Sequence, residues 1–544
     1  MQTGFPPGRA RINARAVALA VVAIALIVLA LSARSAAAKE KTFSLGVAAG
    51  EVTSNSAILW AHADQKGEAR LEVATDPTFH HYIHVGNVKS RDTSDFTVQE
   101  PVGGLSPATT YYYRFVMGSD ASDVGQFRTA PAASADSTIR FAYSGDADAQ
   151  RAAGQTSPFY DSQPGNNGFG AESFGIYRQM AAENNNFNVN FGDTIYSDSE
   201  VPGQGALATS VADKWAKYRQ NLALTSLQAL RASGAVYNHW DDHEFVNDFT
   251  QAENGNAIYQ AGVQAFTNYM PAHYASADGL YNSERWGKNL EVFRLDERSF
   301  RSAKASANHT CDNPQTGKPD LAPTAPQSTR NLFALLVPSL AQPVSQACKD
   351  KINDPNRTML GSAQFDRFTQ AIKNSDATFK VVLNEVPIQQ YYADPYDRWE
   401  GYEAERQRLL HFLQDNNVQN VIFLTTDTHA NLVNVIRYKT LEPGGPQASP
   451  YHEFVTGPVS TMTYRREIDR TTGVTGAGNL IAAAFFKPPP PAGMGMDCVN
   501  VDIYSYAEVQ VNGTVLTVTA KDVHGNVVRD QTTNTPCVLA LPAL

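Results

Sequence analysis

Basic residues are in the minority. Against 54 Asp and Glu the chain carries 44 Lys and Arg, a formal net charge of −10 over 544 residues. That excludes a nucleic-acid binder relying on a positive field, so no nucleic-acid partner is expected. Cysteine is scarce: there are only Cys311, Cys348, Cys498 and Cys537, none at CxxC spacing, which argues against a thiolate metal site. Long apolar runs are missing beyond the amino terminus, and no later segment approaches the roughly 20 residues that span a bilayer. There is no internal repeat and no adjacent arginine pair of a twin-arginine signal.

What is present begins with an address. Arg9, Arg11 and Arg15 precede the apolar run Ala16 to Leu31, and Ala36-Ala37-Ala38 offers a small-residue cleavage site. Residues 1–38 therefore read as a signal peptide. The alternative, an uncleaved amino-terminal anchor, would want a slightly longer run. Removing them takes away four arginines and no acids, so the mature chain is more acidic; the expected product is exported and soluble, with a monomer favoured and the oligomeric state left open. An even cysteine count suits an oxidising compartment. Four cysteines allow three pairings; Cys311–Cys348 and Cys498–Cys537 are favoured because each closes a loop in an irregular region. With 42% hydrophobic residues, 18% charged, 37 Gly and 29 Pro, the chain is globular and rich in loops.

Residues 42–130 read as a small all-β domain. "SAILWAHA", "ARLEVATD" and "YYYRFVMG" alternate apolar and polar residues at period two between turn residues. "PVGGLSPATTYYYRF" has the Leu-x-Pro-x-Thr-x-Tyr corner of a fibronectin type III sandwich. A surface-binding module and a packing domain are both compatible, and the packing role is favoured. After the linker "TAPAASADS", residues 139–530 change texture. The buried runs "TIRFAYSG", "NFNVNFGD", "FKVVLNEV" and "NVIFLTTD" alternate with helical stretches such as "DKWAKYRQNLALTSLQALRA" and "AERQRLLHFLQDN". That pattern is α/β, with helices covering a sheet. "AEVQVNGTVLTVTAKDVHGNVV" reads as two strands that finish it, and "FFKPPPPAGMG" as a proline-stiffened loop.

Four segments at strand ends carry chemistry, where ligands of open α/β sheets collect. "YSGDADA" holds Asp146 and Asp148, "FGDTIYSD" holds Asp193 and Tyr196, "NHWDDHEFVND" holds Asp241, Asp242, His243 and Glu244, and "LTTDTHAN" holds Asp427 and His429. Gly192-Asp193 alone would pass as a turn. "HEFVN" lacks the second histidine of HExxH, so a zinc protease is excluded, and His239 reads as a packed residue. Asp427 and His429 would share a side if their strand continues. Dense carboxylates are either solvated or hold cations.

Together these segments resemble the calcineurin-like metallophosphatase superfamily, with its D-x-[HD], G-D-x-x-[DY], G-N-H-[DE] and G-H-x-H segments. More closely, "WDDHE", "GDTIYSD", "LNEVPIQ", "DRWEGY", "EFVTGPVS" and "RLDERSFR" resemble the alkaline phosphatase D family in order, over roughly residues 45–525. The resemblance implies a four-layer αββα metallophosphatase sandwich behind the small β-sandwich. It implies two cations: Asp146, His429 and Tyr196 on the first, Asp193 bridging, and Asp242 and Asp427 on the second. A phenolate ligand suits Fe3+, and all-oxygen coordination suits Ca2+, with other divalent cations open. His243 would bond the phosphoryl group or protonate the leaving oxygen; Arg298 would neutralise a phosphate oxygen or form a structural ion pair. Ser144-Gly145-Asp146 departs from the family's Ser-Cys-Gln, placing a carboxylate where a thiolate binds iron, as in purple acid phosphatases. Asp148 and Asn384 are further candidate ligands, each with an orienting role as the alternative. The implied activity is hydrolysis of small phosphate monoesters, the alternative a phosphodiesterase acting on phospholipid headgroups or wall polymers. A binding protein on an inactive scaffold would have lost Asp193, Asp242 or His429, and all three are present.

Overall fold

The computed structural model describes residues 42–165 and 174–544, with Met1 and Gly4; the rest of the expected signal segment 1–38 lies outside the described residues. Two mixed sheets face each other. In the first, of nine strands, Ile139–Ser144, Phe187–Phe191 and Ala235–His239 run parallel at the centre. Ser505–Val511 and Val515–Asp522 extend one side, as the expected pair of finishing strands, and Val538–Pro542 adds a third. The second sheet has seven strands, built on parallel Leu290–Arg294, Phe379–Leu383, Val421–Thr425 and Gln447–Val455.

Side-chain alternation along these strands sorts the layers. Phe141, Tyr143, Phe187, Val189 and Phe191 point inward and meet Val381, Leu383, Ile422, Leu424 and Phe454 of the other sheet. The Tyr143 hydroxyl donates to the Phe454 carbonyl across the gap at 2.8 Å. Residues of the other parity point outward. Ala142 packs under helices Gly175–Ala182, Val211–Leu222 and Asn256–Tyr269. Phe293, Val382 and Phe423 pack under Ser362–Asn374 and Glu403–Asp415. The architecture is the four-layer αββα sandwich. The long helical stretch after Ser210 is two helices: Leu224 adopts an extended conformation and starts a second helix at Thr225–Ser233.

The amino-terminal sandwich shares a sheet with its neighbour. Val47–Gly50 pairs parallel to Ala235–His239 and antiparallel to Ser56–His62, which pairs with Thr97–Gly103. The opposing sheet holds Tyr82–Ser90, Gly67–Ala74 and Thr110–Met117, the last flanked by Asp120–Ala121 and Gly125–Arg128. The tyrosine corner forms as its motif predicts, the Tyr111 hydroxyl accepting from the Ser106 amide at 2.9 Å. Disulfides join Cys311 to Cys348 and Cys498 to Cys537. The second is not a loop staple: Cys498 lies on a strand of the seven-stranded sheet, and Cys537 immediately precedes Val538–Pro542 of the nine-stranded one.

Candidate metal centre

The parallel strands of both sheets deliver their acidic segments to one place. Asp146 follows Ile139–Ser144, Asp193 follows Phe187–Phe191, and Asp241 to Glu244 follow Ala235–His239. The loop after Val421–Thr425 crosses from the second sheet: the Thr426 hydroxyl donates to the Phe191 carbonyl at 2.9 Å, and the Asp427 amide to Asp146 Oδ1 at 3.3 Å. The strand does not continue through "TDTH". It stops at Thr425, and Asp427 and His429 instead enter the left-handed region at φ +64° and +55°, as do Asp146 at +65° and Asp193 at +50°. Each such residue costs on the order of 1–3 kcal/mol, and these four sit on three loops that meet at the strand ends.

Backbone approach is as close as the Gly-Asp pair suggests. Gly192 has φ +86°, and a Cβ there would lie 2.6 Å from Asp241 Cβ. Glu244 ties the two loops together, its carboxylate accepting from the amides of Asp193, Thr194 and Asp241 at 3.1, 2.7 and 2.9 Å. It is a clamp and not a donor into the site.

Ligating atoms of Asp146, Asp193 and His429 lie within 4.8 Å of one another, as do those of Asp193, Asp242 and His243, so Asp193 is common to both groups. The donors fit cations. Asp146 Oδ2 is buried without a hydrogen bond, and the Tyr196 hydroxyl and His429 have only the weak neighbours Thr461 and the Met462 backbone, a costly state unless something else satisfies them. Burial pushes Asp146 well above the ordinary carboxylate range, and Asp241 adds to it. Asp193 rises mainly by burial, with Asp242, Asp241 and Glu244 adding against the opposing pull of His243. Asp427 rises by burial, then by repulsion from Asp241 and Asp397. Burial holds His429 down at about 3, so it is the neutral imidazole a metal requires. Burial also acts to lower His243, but Asp242, Asp193 and Asp198 outweigh it and hold the ring charged. That ring stacks on Tyr196 with centroids 4.1 Å apart, and its Nδ1 donates to Asp198 at 2.6 Å.

A family model described as PhoD-like phosphatase matches residues 164–484, and one described as its N-terminal domain matches residues 29–131. The chain belongs to the PhoD-like phosphatase family. Alkaline phosphatase D of Bacillus subtilis (strain 168) is 26% identical over 431 residues, covering 72% of this chain and 64% of that protein, so the match spans just under two thirds of the relative. Among solved structures, PhoD superposes with a TM-score of 0.68 at 20% identity over 92% of this chain and 95% of that one. A purple acid phosphatase from yellow lupin seeds gives 0.55 at 12% identity over 91% and 73%. Both share the fold.

Other residues singled out in this PhoD-like sequence lie around the two clusters. Arg298 is fully buried, its Nε donating to Asp241 at 2.6 Å and its Nη1 to Asp397 at 2.8 Å. Asn384 has both ends of its amide engaged, by the Val386 carbonyl and by Trp399 Nε1. Asp148 accepts from Ser199 and from the Gln150 amide. His239 is packed, with Nδ1 2.6 Å from the Trp240 carbonyl and 3.0 Å from Glu385. A third acidic group, Asp242, Asp248 and Asp397, faces Arg298, Arg301 and Lys304, which balance its charge. Two residues the sequence did not single out face the same cavity, of about 230 Å³: Arg398 and Glu467. Arg398 spends one arm on the Ala393 carbonyl, and its buried Nε has no partner. Glu467 Oε2 is 3.8 Å from His429 Nδ1. Arg398 comes from the loop before Trp399–Tyr402 and Glu467 from helix Tyr464–Thr472, and only the quoted "DRWEGY" touched either.

Proposed function

We propose that this protein is a metal-dependent phosphoesterase acting on small phosphate esters. The observation that carries the reading is the pair of ligand groups sharing Asp193. Asp146, His429 and Tyr196 would hold one cation, with the phenol favouring Fe3+. Asp242, grouped with Asp193 and His243, and Asp427, which lines the same cavity though it is in neither group, would hold the other, their oxygens favouring a hard ion such as Ca2+, and Asp193 would serve both. When bound, such a pair supplies Lewis acidity toward the phosphoryl group and a water acidic enough to attack near neutral pH.

The chain's own groups do the rest. His243, its Nδ1 held by Asp198, would offer its other ring nitrogen to a phosphoryl oxygen or pass a proton to the leaving oxygen. Arg398, the arginine lining the cavity, neutralises a phosphate oxygen. Arg298 acts from behind, fixing Asp241 and Asp397 so that Asp242 faces inward, and Asn384 and Asp148 orient their loops. Export is part of the same reading, supported by two disulfides.

The test combines elemental analysis with turnover of chromogenic mono- and diesters. Wild type should carry two cations per chain and release product. Asp193→Asn should lose more than about 100-fold in kcat/KM together with much of its metal, since even outer partners of metal ligands are worth 10–100-fold. Near-normal activity of that variant would sink the assignment.

A further inference from the structure

Where strand Val47–Gly50 of the leading module ends, the next residue turns toward the catalytic domain. Glu51 is buried at φ +48°, a left-handed conformation that favours glycine. Its Oε2 accepts from Arg294 at 2.7 Å and from Asn282 Nδ2 at 3.2 Å. Arg294 is the last residue of Leu290–Arg294, so this pair joins the leading module to a strand end of the seven-stranded sheet. Arg294 already has an acid within its own sheet: Glu284, on the neighbouring strand Asn282–Trp286, accepts from the same Nη2 at 2.5 Å. A second carboxylate on one guanidinium leaves the buried trio with an excess negative charge. Burial pushes Glu284 up to about 7, with Glu51 adding against the pull of Arg294. Neutralising Arg294 therefore does not account for Glu51, and a crowded buried triad is a poor source of stability.

What Glu51 does account for is the placement of Arg294. The Nη1 of Arg294 donates to the Asn238 carbonyl at 3.4 Å, and its guanidinium carbon lies 5.3 Å from the centre of the Tyr237 ring. Tyr237 is held from the same module, its hydroxyl donating to the Val52 carbonyl and accepting from Trp286 Nε1 at 3.0 Å. Asn238 stands three residues before Asp241, and Arg294 four residues before Arg298, whose Nε holds Asp241. One guanidinium thus touches both strands that carry the two halves of that clamp. We propose that Glu51 is a positioning residue of the candidate metal centre, acting through Arg294 to fix the ends of Ala235–His239 and Leu290–Arg294, from which residues 241–244 and Arg298 project. The leading module is thereby a working part of the centre and not only packed beside it. This rests on the two-cation reading of the centre and goes beyond it to a residue outside the catalytic domain.

The experiment compares three variants of the full-length protein. Glu51→Gly suits the left-handed backbone and removes the carboxylate. Glu51→Gln keeps an acceptor for Arg294. Asp95→Asn cuts a different contact of the leading module, with Arg219 and Tyr269, which leads to helices Val211–Leu222 and Asn256–Tyr269 and away from the strand ends. Metal-free samples are followed by hydrogen exchange, and calcium is titrated into them by calorimetry. In Glu51→Gly the amides of Asp241, Phe245 and Arg298, each bonded within its own loop, should exchange about tenfold faster than in wild type. The calcium Kd should rise about tenfold, the low end for outer partners of metal ligands. Glu51→Gln should restore both, and Asp95→Asn should leave both unchanged whatever its Tm. Wild-type exchange in Glu51→Gly overturns the proposal, as does faster exchange with unaltered calcium binding. An equal effect in Asp95→Asn also overturns it, since any loosening of the module would then suffice. Should Glu51→Gly fail to fold, Arg294→Lys takes its place with the same expectations, because it keeps the charge beside Glu51 and Glu284 but has no second arm for the Asn238 carbonyl. A wild type that binds no calcium and cleaves no ester sinks the phosphoesterase reading, and the exchange difference then decides alone whether Glu51 holds the two loops.

Discussion

Tyr196 shows what single residues can reveal here. Its hydroxyl is buried with only Thr461 close by, and burial, then Asp193 and Asp146, push its pKa well above the ordinary phenol value in the metal-free protein against that weak contact. Only a cation makes a phenolate reasonable there. Tyr196→Phe should therefore leave the thermal stability of the metal-free protein unchanged or raise it by up to about 2 kcal/mol, since it removes an unsatisfied polar group. The same change should abolish the visible absorption expected of iron bound to tyrosinate. A drop in metal-free stability would assign the hydroxyl a packing role instead. The two arginines separate in the same way. Arg398→Ala should cost about 100-fold in kcat/KM with little change in Tm, as loss of a transition-state donor does. Arg298→Ala leaves Asp241 buried without its partner, while Asp397 keeps Arg301, and should destabilise the fold by about 3–5 kcal/mol; chemical denaturation of both variants distinguishes them. Asp146, Asp193, Asp242 and His429 were legible because each closely follows a strand whose apolar run is plain. Arg398 and Asp397 were not, because their meaning depends on partners brought in across loops: Asp397 engages Arg298 from 99 positions away, and no local pattern records that pairing. Asp148 and Asn384 lie beside the right strands but turn to Ser199 and Trp399, a matter of rotamer and not of spacing.

At the scale of elements, strand termini do the positioning. Period-two alternation fixed which strand residues enter the inter-sheet core, and that carried the α/β layering directly from the sequence. What it could not carry was where a strand stops. "NVIFLTTD" reads as if it could run on through His429, yet the left-handed turns at Asp427 and His429 end it, and both residues line the cavity by another route. The long helical stretch failed at Leu224 for a similar reason, a local extended conformation inside a helix-forming composition. Gly192 is the element-level joint between strand and site. Gly192→Ala would bring a methyl against Asp241 at a backbone angle that alanine disfavours. The expected cost is on the order of 1–3 kcal/mol, with displaced Asp193 and weakened metal retention; calorimetry with elemental analysis checks both. A variant as stable and as metal-rich as wild type would show that this close approach is not required.

Over the whole molecule, the sandwich confines several acids at its carboxyl-end rim, and the consequence is a pH dependence with a definite sign. Asp146, Asp193 and Asp427 have raised pKa values in the metal-free fold, as does His243. For groups raised on folding, the stabilising contribution is complete below the unfolded pKa and lost as pH climbs through the folded value. The metal-free protein should thus lose Tm between about pH 5 and 8. Cations replace those protons, so the gain in Tm on adding metal should be larger at pH 8 than at pH 6, with protons released in a weakly buffered titration. A gain independent of pH would show that the acids are not displaced by metal. One further property follows from Val47–Gly50 lying inside the nine-stranded sheet, between Ala235–His239 and Ser56–His62. A chain emerging from the ribosome amino end first makes that segment long before its parallel neighbour exists, so the early hairpin must wait with one border open. Amputating the leading module would in turn bare Ala235–His239, leaving a ragged edge that invites sticking to other chains.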